Sequence, residues 1–560
     1  MLDDITSHLG VTITSEADRK AYLLVLQSAE QTVQQVDALP EYISPGVKPV
    51  PCNNSEPART YSRPNKAENT YNAWSHITNL TATHPDQSDL DGMRVVLKDN
   101  ISVAGIPYTC GTFPQLAHPS GHYPVPEIDA PVVRRLLLAG ANVVGTSTCE
   151  NYSCTPMSYT SVNGPVDNPW LRGYNAGGSS SGNACLLGLK AARAAGVPGL
   201  EQVKMDVDAA LGGDQACSIR LPAAYCGIYG LKPTHGLVPY TGIAGLHPMI
   251  DHCGPMANNV EDCAKLLSVI AGWDELDPRA TPETPLYGRR QNYHQELTNF
   301  MQKAEQQGQK PAQGLRVGII TESLSSTGTS EEVARIVEAA AIKHFTQAGA
   351  TVKHISVPLH PLGPAIWTAA TRTHMATLAA GSRAPDLLSH PMPHWTPRWP
   401  IDQEMLDLLT PVNPAVINIT LTEHFLAKRF TSAPQAKAHR HVFQLRKAYD
   451  DALQECDVLI TPTTPTVAPP LPDLRPASEG GSNVMDKMVL AVGATTHCCP
   501  FNVTGHPAMS VPCGWGRAKN GDGWLPVGMQ IVGRRYDDLM VLKAAAVFTA
   551  GGGGLGIRPQ

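Results

Sequence analysis

Two glycine-rich turns in this 560-residue chain present serines, Gly177-Gly178-Ser179-Ser180-Ser181-Gly182 and Gly212-Gly213-Asp214-Gln215-Ala216-Cys217-Ser218. A hydroxyl on a sharp turn, with backbone N–H groups beside it, has the parts of a nucleophile and an oxyanion hole. Such a pairing suits acyl transfer, where a poor electrophile must be attacked and a developing oxyanion held. Asn183 to Ala195, between the turns, is rich in Ala and Leu and reads as a helix. Val207 to Leu211 is a short apolar run that leads, as a strand, into the second turn. No histidine accompanies the serine motifs, which argues against a Ser-His-Asp arrangement.

The stretch Asn175 to His235 resembles the amidase signature family. That family's pattern is a GGSSGG loop, a helix, G-x-D-x-G-G-S-I-R-x-P-A, and then G-L-K-P-T. Here the matching residues run through Ser218-Ile219-Arg220-Leu221-Pro222 and Gly230-Leu-Lys-Pro-Thr234. A third motif lies upstream, Arg94-Val-Val-Leu-Lys98-Asp99-Asn100. Three separated motifs in the right order are far more specific than one Gly-rich loop. The resemblance implies Ser218 as nucleophile, Ser179 on a cis peptide as the relaying hydroxyl, and Lys98 as the base. A lysine accepts a proton only as the uncharged amine, and burial disfavours the charged form of lysines generally. Backbone N–H groups of Gln215, Ala216, Cys217 and Ser218 are expected to face the oxyanion. Ser180 is expected to support the turn as a hydrogen-bond donor, and choosing Ser179 over Ser180 rests on counting from the glycine pair. Asp214 and Arg220 are expected to hold the turn rather than react. Asp99 and Asn100 read as structural, and His235, His247 and His252 as ordinary polar residues.

Three departures from the family pattern stand out. Ala216-Cys217 replaces the Gly-Gly before the nucleophile, so each position carries a Cβ that the turn must tolerate. Cys217 is thereby a rival nucleophile to Ser218. Ser179 and Ser218 lie 39 positions apart (218 − 179), longer than is usual, and the excess falls in Ala194 to Asp206, where a surface loop can absorb it. Gly182-Asn183 stands in place of a second glycine pair.

The elements that must position these groups read as α/β. Val95 to Leu97 is a short buried strand, Asp129 to Ala141 a helix and Ala141 to Gly145 another strand. The alternation favours a mixed or mostly parallel sheet, and the resemblance implies a large twisted mixed sheet with helices on both faces. The sequence places an N-terminal helical extension at 1–80 and an amidase signature domain at 81–560, with a variable substrate-covering region about 281–455. Within the extension, residues 15–39 read as an amphipathic helix capped by Ser15, and Lys66 to Leu80 as a second helix. Prolines at 40, 45, 49, 51, 57 and 64 mark an irregular connection. Residues 280–313 are polar and poorly patterned. Residues 357–440, with Trp367, His374, Trp395 and Trp399, match nothing specific and are expected to line the substrate pocket. Asp457 to Pro465, Phe501 to Ala508 and Leu525 to Gly533 match closing strands of the family.

A net charge of −6 without a basic run argues against a nucleic-acid partner. No run of 18 apolar residues and no secretory signal is seen, so a cytoplasmic protein without a membrane span is expected. Thirteen cysteines show no metal spacing, and neither a metal nor another cofactor is expected. The expected activity is hydrolysis of a small carboxylic acid amide. Acyl transfer from the same acyl-enzyme, or a weakened, non-catalytic or assembly role, are the alternatives. A homodimer through the first 80 residues is expected.

Overall fold

The computed structural model describes residues 1–53, 59–381, 388–521 and 523–559. Residues 54–58 of the proline-marked connection, with Pro57, and 382–387 of the variable region lie outside the described residues. The chain divides into two compact units, Met1–Pro45 and Gly46–Gln560.

The larger unit is built on one mixed sheet of eleven strands: β1 Trp74–Leu80, β2 Arg94–Lys98, β3 Asn142–Ser147, β4 Ala209–Asp214, β5 Tyr229–Lys232, β6 His252–Ala257, β7 Arg316–Ile320, β8 Thr351–Ile355, β9 Val458–Pro462, β10 Ala508–Arg517 and β11 Trp524–Val532. Their order across the sheet is β1-β3-β2-β4-β6-β5-β10-β11-β9-β7-β8. β2 pairs in parallel with β3 on one side and β4 on the other. A strand in that position is covered on both faces, which is why its sequence is an unbroken apolar run. Val95 and Leu97 enter the core under the helices Pro131–Leu138 and Val260–Ile270, while Val96 enters the core under the helix Ser181–Ala194. The two-residue period of the strand thus assigns alternate side chains to opposite layers. Because β2 and β4 run the same way, Lys98 and Asp214 emerge at the same edge of the sheet.

Two expectations of secondary structure are corrected, and one unpatterned stretch gains a helix. Lys66–Leu80 is not a helix: Trp74–Leu80 is an outer strand that pairs antiparallel with β3. Pairing with a partner far along the chain overrides the local helical spacing of Trp74 and Ile77. The polar stretch 280–313 contains a helix, Tyr293–Gln306, capped by Asn292, whose side chain accepts from Gln295 N–H at 3.0 Å. It buries only Tyr293 and Leu297, one i,i+4 pair, which left no visible apolar periodicity. Phe501–Ala508 is mostly not a strand. Cys499–Thr504 is a short helix ended by Gly505 at φ 78°, and β10 begins at Ala508. The long connection near Ala194 to Asp206 is tied down rather than loose. Trp74 Nε1 donates to the Lys204 carbonyl at 3.1 Å, and Leu200, Val203 and Met205 are buried.

In the smaller unit the helix Glu16–Asp37 starts at Ser15, whose hydroxyl accepts from Asp18 N–H at 3.2 Å. Its apolar residues Tyr22, Val25, Val33 and Val36 stand exposed. Among the described residues no helix is long and apolar enough to cross a membrane.

Buried histidines make the fold acid-sensitive. Burial pushes His76, His235, His247, His360 and His394 down to about 4 and His497 to about 3. The unfolded chain takes up those protons near pH ~6.5. The unfolded state therefore binds more protons between about pH 6.5 and 4, and stability falls as pH drops through that window, by on the order of 1 kcal/mol per group per pH unit. Asp99 and Asp538, raised by burial to about 6, oppose this, because the fold binds their protons more tightly. The histidines are more numerous. The guanidinium unfolding midpoint is expected to drop steadily from pH 6.5 to 4; a flat or rising midpoint would contradict this balance.

Candidate active site

Lys98 ends β2 with its side chain fully buried, and its Nζ donates to Ser179 Oγ at 2.7 Å. Among the described residues Lys98 forms no ion pair. The Gly178–Ser179 peptide is cis. Gly178 cannot carry a side chain, since a Cβ there would lie 2.4 Å from the Met157 carbonyl oxygen. Ser179 also hands its carbonyl to the N–H of Glu150 at 3.1 Å.

The helix Ser181–Ala194 fixes the first turn against the sheet. Gly182 lets it abut β3, as a Cβ would come within 2.3 Å of the Ala73 carbonyl oxygen. Asn183, the departure from a second glycine pair, cross-links two strands. It accepts from Ser147 Oγ at 2.6 Å and donates to the Leu211 carbonyl at 2.8 Å. Glu150 was missed by the sequence reading. Its buried carboxylate accepts from Ser181 Oγ at 2.6 Å and from Thr160 N–H and Oγ1 at 2.7 Å each. Burial raises its pKa in spite of those bonds. A lone carboxylate three residues beyond β3 was the signal for it.

The second turn is held from behind. Asp214 and Arg220 are both fully buried and pair twice, Nε to Oδ2 at 3.0 Å and Nη2 to Oδ1 at 2.9 Å. Arg220 also donates to the Cys498 carbonyl, Gln530 Oε1 and Asn502 Oδ1. Asp214 Oδ2 accepts from Ile219 N–H at 3.1 Å. Burial opposes the Asp214 charge, but Arg220 and Asn502 more than offset it and hold the carboxyl below the usual carboxylate range. A buried pair so fully bonded fixes geometry. Ser180 Oγ donates to the Gly213 carbonyl at 3.3 Å and so joins the two turns.

The backbone of the turn is sorted by polarity. The Gln215 carbonyl accepts from Trp367 Nε1 at 3.1 Å, the Ala216 carbonyl from Arg220 Nη2 at 3.5 Å and the Cys217 carbonyl from Leu221 N–H at 2.8 Å. The N–H groups of Gln215, Ala216, Cys217 and Ser218 donate to nothing among the described residues. Four consecutive unbonded N–H donors on one turn have the chemistry to hold an anion. Neither Ala216 nor Cys217 has a positive φ, so the turn accepts both Cβ atoms without strain. Cys217 is buried with its Sγ directed to the Gly178 carbonyl at 4.0 Å, and burial pushes its thiol well above the usual range. A thiol kept protonated is a poor nucleophile.

Ser218 lines a cavity of about 340 Å³ together with Gln215, Ala216 and Cys217. Its Oγ makes no hydrogen bond among the described residues, so it is not bonded to Ser179 here. The geometry therefore joins Lys98 to Ser179 directly and sets Ser218 on the adjoining turn with a free hydroxyl. Opposite walls come from the variable region and from a segment the sequence reading did not single out: Trp367, Arg372 and Ile419, with Met488 and Val492. Trp367 meets the expectation of a pocket-lining residue, whereas His374, Trp395 and Trp399 do not line this cavity. Asp99 accepts from Ser75 Oγ and Thr109 Oγ1, both at 2.5 Å, and Asn100 donates to the Ala244 carbonyl at 3.0 Å, both structural arrangements.

Because Trp367 tethers the Gln215 carbonyl, Trp367→Phe should loosen the turn and lower the kcat of the reaction this site supports about tenfold with a smaller change in KM. Steady-state kinetics reads this; an unchanged kcat would show that the tether is dispensable.

A family model described as Amidase matches residues 60–542, and the chain belongs to the amidase signature family. It is 33% identical over 518 residues to an enantioselective amidase of Rhodococcus rhodochrous, covering 90% of this chain and 88% of that one. It is 31% identical over 469 residues to a glutamyl-tRNA(Gln) amidotransferase subunit of Methanosarcina acetivorans, covering 82% and 85%. The crystal structure of a bacterial aryl acylamidase of the amidase signature family superposes with a TM-score of 0.62 at 20% identity over 83% of both chains.

Proposed function

We propose that this protein is an amidase that hydrolyses a small carboxylic acid amide through Ser218, Ser179 and Lys98, releasing the acid and ammonia or an amine. The observation that carries it is the free Ser218 hydroxyl on a turn with four unused N–H donors, beside a buried lysine already bonded to Ser179. The reading requires the Ser218 hydroxyl to turn onto Ser179 before the proton moves. Ser218 then gives its proton to Ser179, Ser179 gives one to the amine of Lys98, and Oγ of Ser218 attacks the amide carbon. The oxyanion gathers on the N–H groups of Gln215 to Ser218. The C–N bond breaks as the leaving nitrogen takes the proton back through Ser179, leaving an acyl-serine. Water adds to that ester, its proton following the same route, and the acid departs as the Ser218 Oγ–H re-forms. The cavity volume suits a small molecule, and its apolar walls favour an aryl or alkyl acyl group.

The test is turnover by the isolated chain on primary amides, anilides and esters, following acid and ammonia or amine. Stoichiometric acid release without a partner protein supports hydrolysis. Diversion of product to an added amine at the expense of acid would favour acyl transfer, and no turnover without a partner would favour an assembly role. The proposal extends to a cytoplasmic homodimer, favoured by the exposed apolar side chains of Glu16–Asp37. Sedimentation of the full chain reads the oligomeric state.

A further inference from the structure

One charged side chain lines the cavity that holds Ser218. The other described lining residues are apolar or neutral, and no carboxylate, lysine or histidine is among them. That residue is Arg372, directly after the helix Gly363–Thr371 that also carries Trp367. Its guanidinium makes no hydrogen bond and no ion pair among the described residues, and its Nε is buried without a partner. Arg220 and Arg279 elsewhere in this interior are paired with carboxylates, although the Arg279 Nε is also buried without a hydrogen bond. Arg220 has Asp214, Gln530 and Asn502, and Arg279 bonds Asp251 and Asp277 at 2.8 and 2.9 Å. The titratable neighbour with the largest effect is the Cys154 thiol, which burial raises to about 12, so it supplies no counter-charge. Burial works against the Arg372 cation and lowers its pKa, as expected of a desolvated guanidinium without an anion. A half-buried cation with five idle donors in an otherwise neutral cavity is costly, and an anion arriving there would be held strongly.

We propose that Arg372 recognises a carboxylate carried by the amide substrate, so that the preferred substrates are monoanionic amides, such as monoamides of dicarboxylic acids or acylated amino acids. The planar fork of arginine matches a carboxylate in two bonds. A single positive charge suits one negative charge, whereas a phosphate dianion would call for a second cation that the cavity lacks. The remaining apolar walls, from Trp367, Ile419, Met488 and Val492, would enclose the carbon skeleton between the two ends. Arg372 is thus a specificity residue for the amidase proposed above, and the inference rests on that reading for the position of the scissile bond.

Binding tests it apart from catalysis. Full-length protein with Ser218→Ala is titrated calorimetrically with two acids, adipic acid monoamide and terephthalic acid monoamide, and with the methyl ester of each. At least one acid is expected to bind about tenfold or more tightly than its ester. Adding Arg372→Gln should erase that difference, and Arg372→Lys should keep part of it. Since the guanidinium has no partner among the described residues and its burial is costly, Arg372→Gln is expected to unfold at the same or a higher denaturant concentration; were it unfolded, the acid-against-ester comparison in the parent protein would still decide. Equal binding of acid and ester in the parent, a preference that survives Arg372→Gln, or no binding of either acid would overturn the assignment. Turnover by the unsubstituted chain separates the two readings. Acid-selective binding without hydrolysis of any amide sinks the amidase reading and leaves Arg372 as a carboxylate site, while hydrolysis of neutral amides with no acid preference sinks only the role of Arg372.

Discussion

Replacing Ser218 by alanine is expected to lower kcat/KM for amide hydrolysis by about four to six orders of magnitude, the scale seen when a covalent nucleophile is removed from a triad acting as a unit. The fold should not notice. Ser218 Oγ makes no hydrogen bond among the described residues, and the hydroxyl faces a cavity rather than packed atoms. Such a substitution shifts stability by about 0.5 kcal/mol or less. Equilibrium unfolding and turnover measured on the same preparation separate loss of chemistry from loss of structure. Full turnover by Ser218→Ala would refute the nucleophile assignment, and Cys217, buried and protonated, would become the residue to examine.

The second large effect is expected at Lys98. Lys98→Met keeps the length and apolar stem of the side chain but removes the group bonded to Ser179. Loss of a general base costs about 10² to 10⁴ in rate, so kcat should fall by about three orders of magnitude. Lys98→Arg is the informative companion. Its guanidinium can still donate to Ser179 but cannot give up its proton in a protein. A lysine that merely held Ser179 in place would be partly replaced by arginine. A lysine that moves protons would not, and Lys98→Arg should be as inactive as Lys98→Met. Both variants should retain the near-ultraviolet circular dichroism of the parent, because β2 is anchored by Val95, Val96 and Leu97 on its two faces.

The α/β class with its large mixed sheet was legible in the sequence, and so were the local motifs of the candidate site. Lys98, Ser179 and Ser218 lie in short local patterns whose spacing is set by turns and one strand end, so each can be read without knowing its neighbours in space. Ser180 bonds the Gly213 carbonyl across the two turns, and Asp214 pairs with Arg220 behind the second. β2 and β4 were readable because strands covered on both faces must be apolar throughout. β1 was not, since its partner is β3, some seventy residues on, and Trp74 and Ile77 also fit a helical period. Glu150 escaped notice, and Asn183 was read only as a departure from a glycine pair, because their importance lies in what they bridge. Arg372 was invisible for a different reason. Its significance is the absence of a partner, and only a folded chain shows what a side chain fails to meet.

The Ala216-Cys217 departure also had to wait for coordinates. A glycine pair before the nucleophile is replaceable wherever the backbone keeps φ negative, as it does at both positions here. The free N–H groups of the turn owe their direction to what binds the carbonyls behind them, namely Trp367, Arg220 and Leu221. One of those three comes from the variable region, so the part of the chain that shapes the cavity also steadies the donor wall.

Which oxygen attacks is tested most directly by covalent trapping. The unsubstituted protein is treated with a serine-directed fluorophosphonate, digested and mapped by mass spectrometry, with Lys98→Met treated in parallel. A single adduct on Ser218, formed far more slowly in Lys98→Met, is the expected result. An adduct on Cys217, or labelling of Ser218 at an undiminished rate without Lys98, would contradict a serine activated by a buried lysine.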